Sequence, residues 1–236
     1  MNYIVRSQIH LSIYIKHIVK KILDLTSDRI REIYTGSVVD RYDSFMSHLF
    51  KNFKKKAFSE SSLKPGDRVL VFCCGTGLDF PYILNKIGKE GEIIGVDFSK
   101  DMLAMAERKI RKYSWDNIEL IHEDVTHFRE RLSNIADAGV CTLGLSIIPD
   151  FKNAYQNLLS NVRPGGEIIM GDMQLASGWQ ARLNPLTIYM SKRFGGSYEG
   201  HQNSLELISM MEKDLQGLKK TELFFKAYYY CIGKIK

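Results

Sequence analysis

Short apolar runs of strand length alternate with longer segments of helical periodicity through the middle of this chain. The pattern predicts five strands, at residues 69–73, 92–96, 118–121, 138–145 and 167–171. It predicts helices between them, at residues 82–87, 100–112 and 152–162, with Ser99 as the N-cap of the second helix. Strands that alternate with helices form a parallel sheet with right-handed crossovers, so a ligand is expected at the carboxyl ends of the strands.

The alternation breaks after the fifth predicted strand. Residues 172–203 form a long insertion rich in glycine and aromatic side chains, including Trp179 and Tyr198, which is typical of a substrate-binding segment. A helix at residues 203–216, capped by Gly217, comes next, and two apolar-aromatic strands at residues 219–225 and 227–235 complete the chain. Because these two strands follow each other directly, they predict an antiparallel hairpin.

The first 60 residues differ from the rest in charge and in pattern. They carry +5 of the net charge of +6, and residues 11–25 place apolar side chains at helical spacing, mostly opposite Lys16, Lys20 and Lys21. Such a basic amphipathic helix either docks on the main domain or lies on an anionic lipid surface. Residues 28–60 predict two further helices, interrupted near Gly36. The predicted division is an N-terminal helical segment, 1–60, and a main domain, 61–236.

A glycine turn follows the first predicted strand. Gly75 and Gly77 flank Thr76, and their missing side chains let a ligand approach the backbone closely. Asp97 stands at the end of the second strand, 20 residues after Gly77. A carboxylate at that place can accept both hydroxyl hydrogens of a ribose, while the turn faces the polar part of a nucleoside. The unit therefore predicts an adenosine-containing cofactor, with a plain tight turn as the alternative.

The choice of cofactor is narrowed by motif residues that this chain lacks. A dinucleotide fingerprint has a third glycine three residues after Gly77, and this chain has Phe80 there. The lysine of a phosphate-binding P-loop is absent as well. The turn thus favours S-adenosylmethionine over NAD, and a nucleotide-linked oxidoreductase becomes a minor alternative.

Four sequence motifs resemble those of the class I S-adenosylmethionine-dependent methyltransferases. They are VLVFCCGTG at residues 69–77, GVDFSKDML at 95–103, EDV at 123–125 and RPGG at 163–166. Within this class the chain is most similar to the ubiquinone/menaquinone-biosynthesis type and to its relatives that methylate phospholipid headgroups, over roughly residues 34–236. The resemblance implies an α/β fold with a Rossmann-like, seven-stranded, mostly parallel sheet, a C-terminal antiparallel hairpin and an N-terminal helical lid.

The resemblance also implies a set of cofactor-binding residues. In this family an acid at the position of Asp124 accepts a hydrogen bond from the adenine amino group, and the residue at Val125 packs on the ring. The chain departs from the family at Val71, where an acid is usual, and at Cys73, where glycine is frequent. The predicted cofactor-binding residues are Cys74, Gly75, Thr76, Gly77, Asp97, Phe98, Met102, Asp124, Val125 and Thr142.

The sequence constrains the acceptor less than the cofactor. If the acceptor needs a general base, Tyr42, Asp172 and His201 are the candidates, and Tyr42 with Asp43 matches a lid segment of the resembled family. A phospholipid amine headgroup is favoured, with Lys192 and Arg193 as phosphate ligands. The alternatives are carbon methylation of a quinol, a small-molecule acceptor, and S-adenosylmethionine binding without catalysis. Nucleic acid is disfavoured, because no Asn/Asp-Pro-Pro-Tyr motif follows the fourth strand.

Composition adds limits on location and on metal chemistry. The four cysteines show neither a pairing pattern nor metal-ligand spacing, which indicates buried thiols in a reducing compartment. There is no run of 18 apolar residues, and no signal peptide is recognised, so a cytoplasmic protein is expected, with peripheral contact to anionic membrane as a possibility. The oligomeric state is not predicted.

Overall fold

The computed structural model describes residues 32–35, 37–128 and 136–236. The predicted amphipathic helix at 11–25 lies outside these residues. Within them, none of the helices has both the length and the hydropathy needed to cross a membrane.

Seven strands form one sheet in the order β3-β2-β1-β4-β5-β7-β6. The first five strands pair in parallel, while β7 pairs antiparallel with both β5 and β6. The fold class predicted from the sequence, including the C-terminal hairpin, is confirmed. The strands are β1 (Arg68–Phe72), β2 (Glu92–Asp97), β3 (Ile118–His122), β4 (Ala136–Thr142), β5 (Val162–Met173), β6 (Leu215–Leu223) and β7 (Tyr228–Ile235).

Six α-helices of the described chain connect or cover the strands. They are α1 (Ser37–Glu60), α2 (Phe80–Ile87), α3 (Lys100–Tyr113), α4 (Phe151–Ser160), α5 (Asn184–Ser191) and α6 (Tyr198–Asp214). Short 3₁₀ turns occupy Leu145–Ile147, Gly178–Leu183 and Lys192–Phe194. The predicted cap of α3 is confirmed, because the Ser99 hydroxyl accepts a hydrogen bond from the Met102 amide.

Two predicted boundaries near the fourth and fifth strands are wrong. Strand β4 ends at Thr142 instead of residue 145, because Leu143 has a φ of +59° and turns the chain away from the sheet. Strand β5 starts at Val162 instead of residue 167, since the predicted Pro-Gly-Gly turn is a bulge within the strand. The bulge places Val162 opposite Ala136 and Glu167 opposite Ala138.

The C-terminal helix also differs from its prediction. Helix α6 starts at Tyr198, five residues earlier than expected, because the Ser197 hydroxyl accepts a hydrogen bond from the Gly200 amide and caps it. Gly217 does not cap this helix. It lies in β6 with a φ of +64°, within a register shift against β7.

Helix α1 packs on the sheet as part of the main core. Its buried residues Met46, Phe50 and Phe58 belong to the same hydrophobic cluster as Val69 and Val71 of β1. Phe58 also stacks on Tyr82 of α2, with ring centroids 5.9 Å apart. The helix therefore forms one wall above the carboxyl ends of the strands. The second core cluster, on the opposite face of the sheet, includes α4 and α6.

Phe80 explains why this chain needs two of its glycines. The Phe80 ring is fully buried, and it lies 2.6 Å from the place where a β-carbon on Gly77 would stand and 3.0 Å from one on Gly95. The large side chain of α2 thus fills the space between helix and sheet that the small residues leave open. Gly77 is required for this packing as well as for its φ of +76°.

Two buried asparagines, Asn157 in α4 and Asn161 directly after that helix, anchor the loop that follows β3. The Asn157 amide donates to the carbonyls of Val125 and Thr126, at 2.9 Å each, and the Asn161 amide donates to the Phe128 carbonyl at 3.0 Å. These bonds fix the backbone of a loop that has no regular structure of its own.

We expect Asn157→Leu to lower the free energy of unfolding by about 2–3 kcal/mol, because buried carbonyls lose their donor. Gln156→Leu, at the exposed neighbouring position, is the matched control and should change it by less than about 0.5 kcal/mol. Urea denaturation measures both. Equal stability of the two variants would contradict the anchoring role of Asn157.

Candidate active site

A cleft opens at the carboxyl ends of the parallel strands. It has a volume of about 680 Å³, and we call it the Asp97 cleft. Six of the predicted cofactor-binding residues line it: Gly75, Asp97, Phe98, Met102, Asp124 and Val125. Tyr34, Cys73, the 143–144 turn and residues 147–149 complete the wall. The sequence prediction that these side chains meet at one edge of the sheet therefore agrees with the geometry.

Asp97 joins the glycine turn to the end of β2. One carboxylate oxygen accepts a hydrogen bond from the Gly75 amide at 2.8 Å, and the other accepts one from the Ser99 amide at 2.9 Å. The side chain is buried, and this burial raises its pKa to about 6 against the opposing effect of the hydrogen bonds. The Phe98 amide interacts with the same carboxylate. Its two oxygens offer about four lone-pair sites, so the carboxylate retains capacity for a ligand hydroxyl group.

Asp124 and Val125 lie across the cleft from the turn. One Asp124 oxygen accepts hydrogen bonds from both the amide and the hydroxyl of Thr126, so this acid also shapes its own loop. Val125 is buried and contributes an apolar surface, as do Phe98 and Met102 of the cleft wall. The space between these apolar groups and the acid is well matched to the flat ring of an adenine.

Helix α1 is fastened onto the glycine turn by a half-buried network. Asp43 accepts a hydrogen bond from the Thr76 hydroxyl and pairs with Lys109 of α3 at 2.5 Å. Lys109 also donates to the Thr76 carbonyl at 2.8 Å, and burial lowers the pKa of its ammonium group. Thr76 is thereby held from both sides, and Asp43 is a structural partner of the turn.

A second ionic group lies deeper, at the end of β4. The buried Lys54 ammonium donates to Asp79 at 2.7 Å and to the Thr142 hydroxyl at 2.5 Å, and Thr142 donates to the other Asp79 oxygen at 2.6 Å. The predicted residues Cys74, Thr76 and Thr142 line the small pocket of about 300 Å³ beside this group. A cation and an anion side by side can bind the carboxylate and the ammonium group of a zwitterionic amino acid.

A separate apolar cavity of about 790 Å³ adjoins the first, and we call it the Asp172 cleft. The two share Tyr34, Leu143 and Ile147 as common walls. Its lining is mostly aromatic and aliphatic, from α1, α5 and the β6–β7 hairpin, and two of the three predicted base candidates, Asp172 and His201, line it. The third candidate, Tyr42, lies in α1, but its side chain is outside the described residues.

Burial sets the protonation of both candidate bases in the Asp172 cleft. It raises the pKa of Asp172 to about 6, although that carboxylate accepts bonds from the Ser146 and Met173 amides at 3.1 and 2.8 Å. Burial lowers the pKa of His201, whose Nε2 is 3.4 Å from the Ser191 hydroxyl. Asp172 is therefore ionised and His201 neutral at pH 7.

Three residues of the site, one shared by the two clefts and two beside the small pocket, were not found by the sequence analysis. Tyr34 separates the clefts, its hydroxyl bonded to the Phe194 carbonyl at 2.9 Å, and Lys54 and Asp79 form the buried pair. Lys54 looked like part of a solvated basic run, and only helical phase could have set it apart, since Phe50, Ala57 and Phe58 are buried on the same helix. For Asp79, the sequence feature that could have indicated a role was its position just after the glycine turn.

The departures from the resembled family fall in a packed environment. Val71 is fully buried in β1, while Cys73 has a φ of +51° and lines the Asp97 cleft. A β-carbon on Gly144 would come within 2.5 Å of the Cys73 β-carbon, so the cysteine requires glycine at 144. All four cysteines are free, and burial raises the pKa of the Cys74 thiol well above its ordinary value.

Solved structures with this arrangement define the class of fold. A SAM-dependent methyltransferase from Aquifex aeolicus matches with a TM-score of 0.59 and 17% identity, over 89% of this chain and 98% of that one. A phosphoethanolamine N-methyltransferase 2 from Haemonchus contortus matches with a TM-score of 0.64 and 16% identity, over 82% of this chain and 46% of that one. The fold is thus that of the class I S-adenosylmethionine-dependent methyltransferases.

The family follows from the sequence match. Residues 22–176 match the model of the ubiE/COQ5 methyltransferase family, and the chain belongs to this family. Demethylmenaquinone methyltransferase from Bacillus cytotoxicus is 29% identical over 150 residues. That match covers 60% of this chain and 61% of the relative, so the chain spans about three fifths of the length of the curated relatives it matches. The predicted class of protein is confirmed.

S-adenosylmethionine is the cofactor that this family and fold indicate, and the chemistry of the clefts fits it. A buried carboxylate beside a glycine turn suits a ribose, the apolar loop with Asp124 suits an adenine, and the Lys54–Asp79 pair suits the amino-acid end. The contacts of individual residues with the cofactor stay predictions.

We expect Asp97→Ala to weaken S-adenosylmethionine binding by about 1.5–3 kcal/mol, the range for losing hydrogen bonds to a charged group. Wild-type affinity should also fall as the pH drops through about 6, because protonation removes acceptor capacity from Asp97. Calorimetry between pH 5 and 7.5 tests both effects, with exposed Asp116→Ala as the control. A variant with wild-type affinity would remove Asp97 from the binding site.

The same pKa shift has a consequence for the stability of the free protein. Because the folded pKa of Asp97 lies above the usual value of 3.8, this group favours the folded state most when protonated. Its contribution declines as the pH rises from about 4 to 6, so the buried charge is a cost at neutral pH.

We expect Lys54→Met to lower the free energy of unfolding by about 3–5 kcal/mol, because it leaves the Asp79 carboxylate buried without its cation. The double variant Lys54→Met/Asp79→Asn should recover more than half of that loss. Urea denaturation measures the free energies of unfolding for this double-mutant cycle, with exposed Lys55→Met as the control. Additive losses in the double variant would show that the pair is not coupled.

Proposed function

We propose that this protein transfers the methyl group of S-adenosylmethionine to a lipophilic aromatic acceptor, a quinol, and that the new bond forms at a ring carbon. The observation that carries the proposal is Asp172, an ionised acid buried in an apolar cavity that shares a wall with the Asp97 cleft. The relatives named as demethylmenaquinone methyltransferases support the same class of acceptor.

Carbon methylation of a quinol needs a base more than amine methylation does. S-adenosylmethionine, when bound, would supply an electrophilic methyl group and leave as the thioether S-adenosylhomocysteine. A phenolate is a far stronger carbon nucleophile than the neutral phenol, and the methylated ring carbon then loses its proton, which restores the aromatic ring. Asp172, with a pKa of about 6, is ionised at neutral pH and can take the hydroxyl proton of the acceptor. The amides of Ser146 and Met173 orient its two oxygens. Asp172 is thus the proposed general base.

His201 has a different proposed role in this scheme. Its burial holds it neutral at pH 7, so it can donate or accept a hydrogen bond without placing a charge beside the methyl group. We assign it to orienting the second oxygen of the acceptor. Tyr42 stays a candidate from the family resemblance alone.

The cofactor-binding residues are part of the same proposal. Asp97 would bind the ribose, Asp124 with Val125 the adenine, and Thr142 the amino-acid end beside Lys54. Cys74, Gly75, Thr76, Gly77, Phe98 and Met102 would complete the cofactor site. Tyr34 would stand between cofactor and acceptor and keep water from the methyl group.

The phospholipid amine headgroup, which the sequence favoured, has weaker support. Of its two expected phosphate ligands, Lys192 is exposed and does not line the Asp172 cleft, and the side chain of Arg193 is outside the described residues. Among the described side chains, no lysine or arginine lines that cleft. A bare cavity of this kind would leave a phosphate without a counter-charge, which is costly in an apolar site. We therefore rank the quinol first and the headgroup second.

We expect Asp172→Asn to reduce kcat by about 10²–10⁴-fold, the contribution typical of a general base, with little change in cofactor affinity. In the wild type, kcat/KM should rise with pH up to about 6 and then level off, because the base must be ionised. Exposed Asp116→Asn is the control. An unchanged rate and pH profile in Asp172→Asn would exclude this acid as the base.

The acceptor class is tested by supplying labelled S-adenosylmethionine with separate pools of a demethylated menaquinol, phosphatidylethanolamine and small polar amines. We expect label only in the quinol, on carbon. Label only in the phospholipid would overturn the proposal in favour of the headgroup. Label only in small amines would exclude both lipophilic acceptors.

A further inference from the structure

Large apolar side chains are exposed beside the mouth of the Asp172 cleft. On the segment from the 3₁₀ turn Gly178–Leu183 through α5, Trp179 is 68% exposed, Leu186 56% and Tyr189 78%. Leu183 belongs to the same stretch, and Phe224 and Phe225 lie at the tip of the β6–β7 hairpin, where Phe225 is 62% exposed. We call these six residues the aromatic platform. Exposed apolar side chains grouped in this way mark an interaction surface.

A long stretch of the sequence around the aromatic platform carries charged side chains of positive sign only. Residues 174–198 contain Arg182, Lys192 and Arg193 and no acidic residue. At the hairpin tip Lys226 follows the two phenylalanines, and the nearby Glu222 is paired with Lys220 at 2.8 Å. Exposed tryptophan and tyrosine with an excess of cations at their margin match the interface of an anionic bilayer, where rings sit at headgroup depth and cations meet lipid phosphate.

The two parts of the platform are joined to each other and to the cavity. Gln174, at the start of the segment, bonds to the hairpin through the Lys226 and Ala227 carbonyls, at 2.9 Å each. Thr187 and Ser191 of α5 and Phe224 of the hairpin tip all line the Asp172 cleft. The same two elements therefore present the apolar surface and form the wall of the cavity.

We propose that the aromatic platform docks on an anionic lipid bilayer and thereby brings the mouth of the Asp172 cleft to the membrane surface. A lipophilic acceptor can then pass from the bilayer into the cavity without crossing water. This last step rests on the proposed function, whereas docking itself depends only on the platform. The bilayer is favoured over a protein partner by the continuity between the platform and an apolar cavity and by the excess of cations.

Vesicle co-sedimentation of the full chain tests the docking. Vesicles of phosphatidylcholine with about one third phosphatidylglycerol, and without any acceptor, should sediment the wild type, and raised salt should weaken binding. Leu186→Ser/Tyr189→Ser should bind at least about tenfold more weakly, because two apolar side chains no longer enter the interface. Tyr113→Ser, 56% exposed at the far end of α3, is the matched control and should bind as the wild type does.

Fluorescence locates the contact. The chain has two tryptophans, Trp115 and Trp179, so Trp115→Phe leaves Trp179 as the single indole. Its emission should shift to the blue when anionic vesicles are added, and lipids brominated on their acyl chains should quench it. The complementary variant Trp179→Phe should show neither change.

Three outcomes would overturn the proposal. One is a wild type that stays in the supernatant. Another is unaltered Trp179 emission while the protein sediments, which would assign binding to a different surface such as residues 1–31. The third is a second copy of the chain on the platform, seen as a dimer by light scattering that Leu186→Ser/Tyr189→Ser dissociates. Because the vesicles contain no acceptor, failure of quinol methylation leaves these results unaffected, and failure of docking leaves methylation of a detergent-solubilised quinol intact.

Discussion

The buried ion pair between Lys54 and Asp79 is the interaction on which both clefts depend. Lys54 comes from α1, Asp79 from the segment after the glycine turn, and their common partner Thr142 from the end of β4. Three parts of the chain that are distant in sequence therefore meet at one charged group inside the protein. Since an unpaired charge at this depth is strongly unfavourable, α1 is held over the carboxyl edge of the sheet. Four side chains of that helix form one wall of the Asp172 cleft, and its Asp43 holds the glycine turn that borders the Asp97 cleft.

In the proposed reaction, the two clefts divide the chemistry of methyl transfer between them. The Asp97 cleft offers backbone groups, a glycine turn and two acids, whereas the Asp172 cleft offers an apolar surface with a single ionised acid and a neutral imidazole. Methyl transfer needs alignment and exclusion of water more than it needs many catalytic groups. Tyr34, Leu143 and Ile147 form the shared wall and leave a narrow common boundary at which the two ligands can meet.

Burial raises the pKa of Asp97 and of Asp172 to about 6. In each case the desolvation of the charge outweighs the hydrogen bonds that favour it. The carboxylates are ionised at neutral pH but close enough to protonation that mild acid affects both clefts at once. The cost of this arrangement falls on the stability of the free protein, and bound ligands that donate hydrogen bonds to these oxygens offset it.

The sequence by itself determined the order of strands and helices and the class of cofactor, and it predicted six of the residues that line the Asp97 cleft. These follow from local causes: apolar periodicity, a glycine turn, an N-cap at Ser99, and acids placed where parallel strands end. It also determined the hairpin, although it placed the start of α6 at residue 203 and assigned Gly217 to a helix cap. Both errors have a cause in the sequence. The Ser197 cap resembles part of a loop, and the glycine of the β6 bulge resembles a helix cap.

Only the tertiary structure decided which charged residues are buried and what each cleft contains. Lys54 belongs to a run of lysines, of which it alone points into the protein and meets Asp79 and Thr142. Lys192 looked like a phosphate ligand and lies in solvent, while Asp172, one of three equal candidates, stands in an apolar cavity. Burial and pairing depend on segments far apart in the chain, and desolvation then sets the charge of each group. Apart from the helical phase of Lys54, no local pattern indicates them.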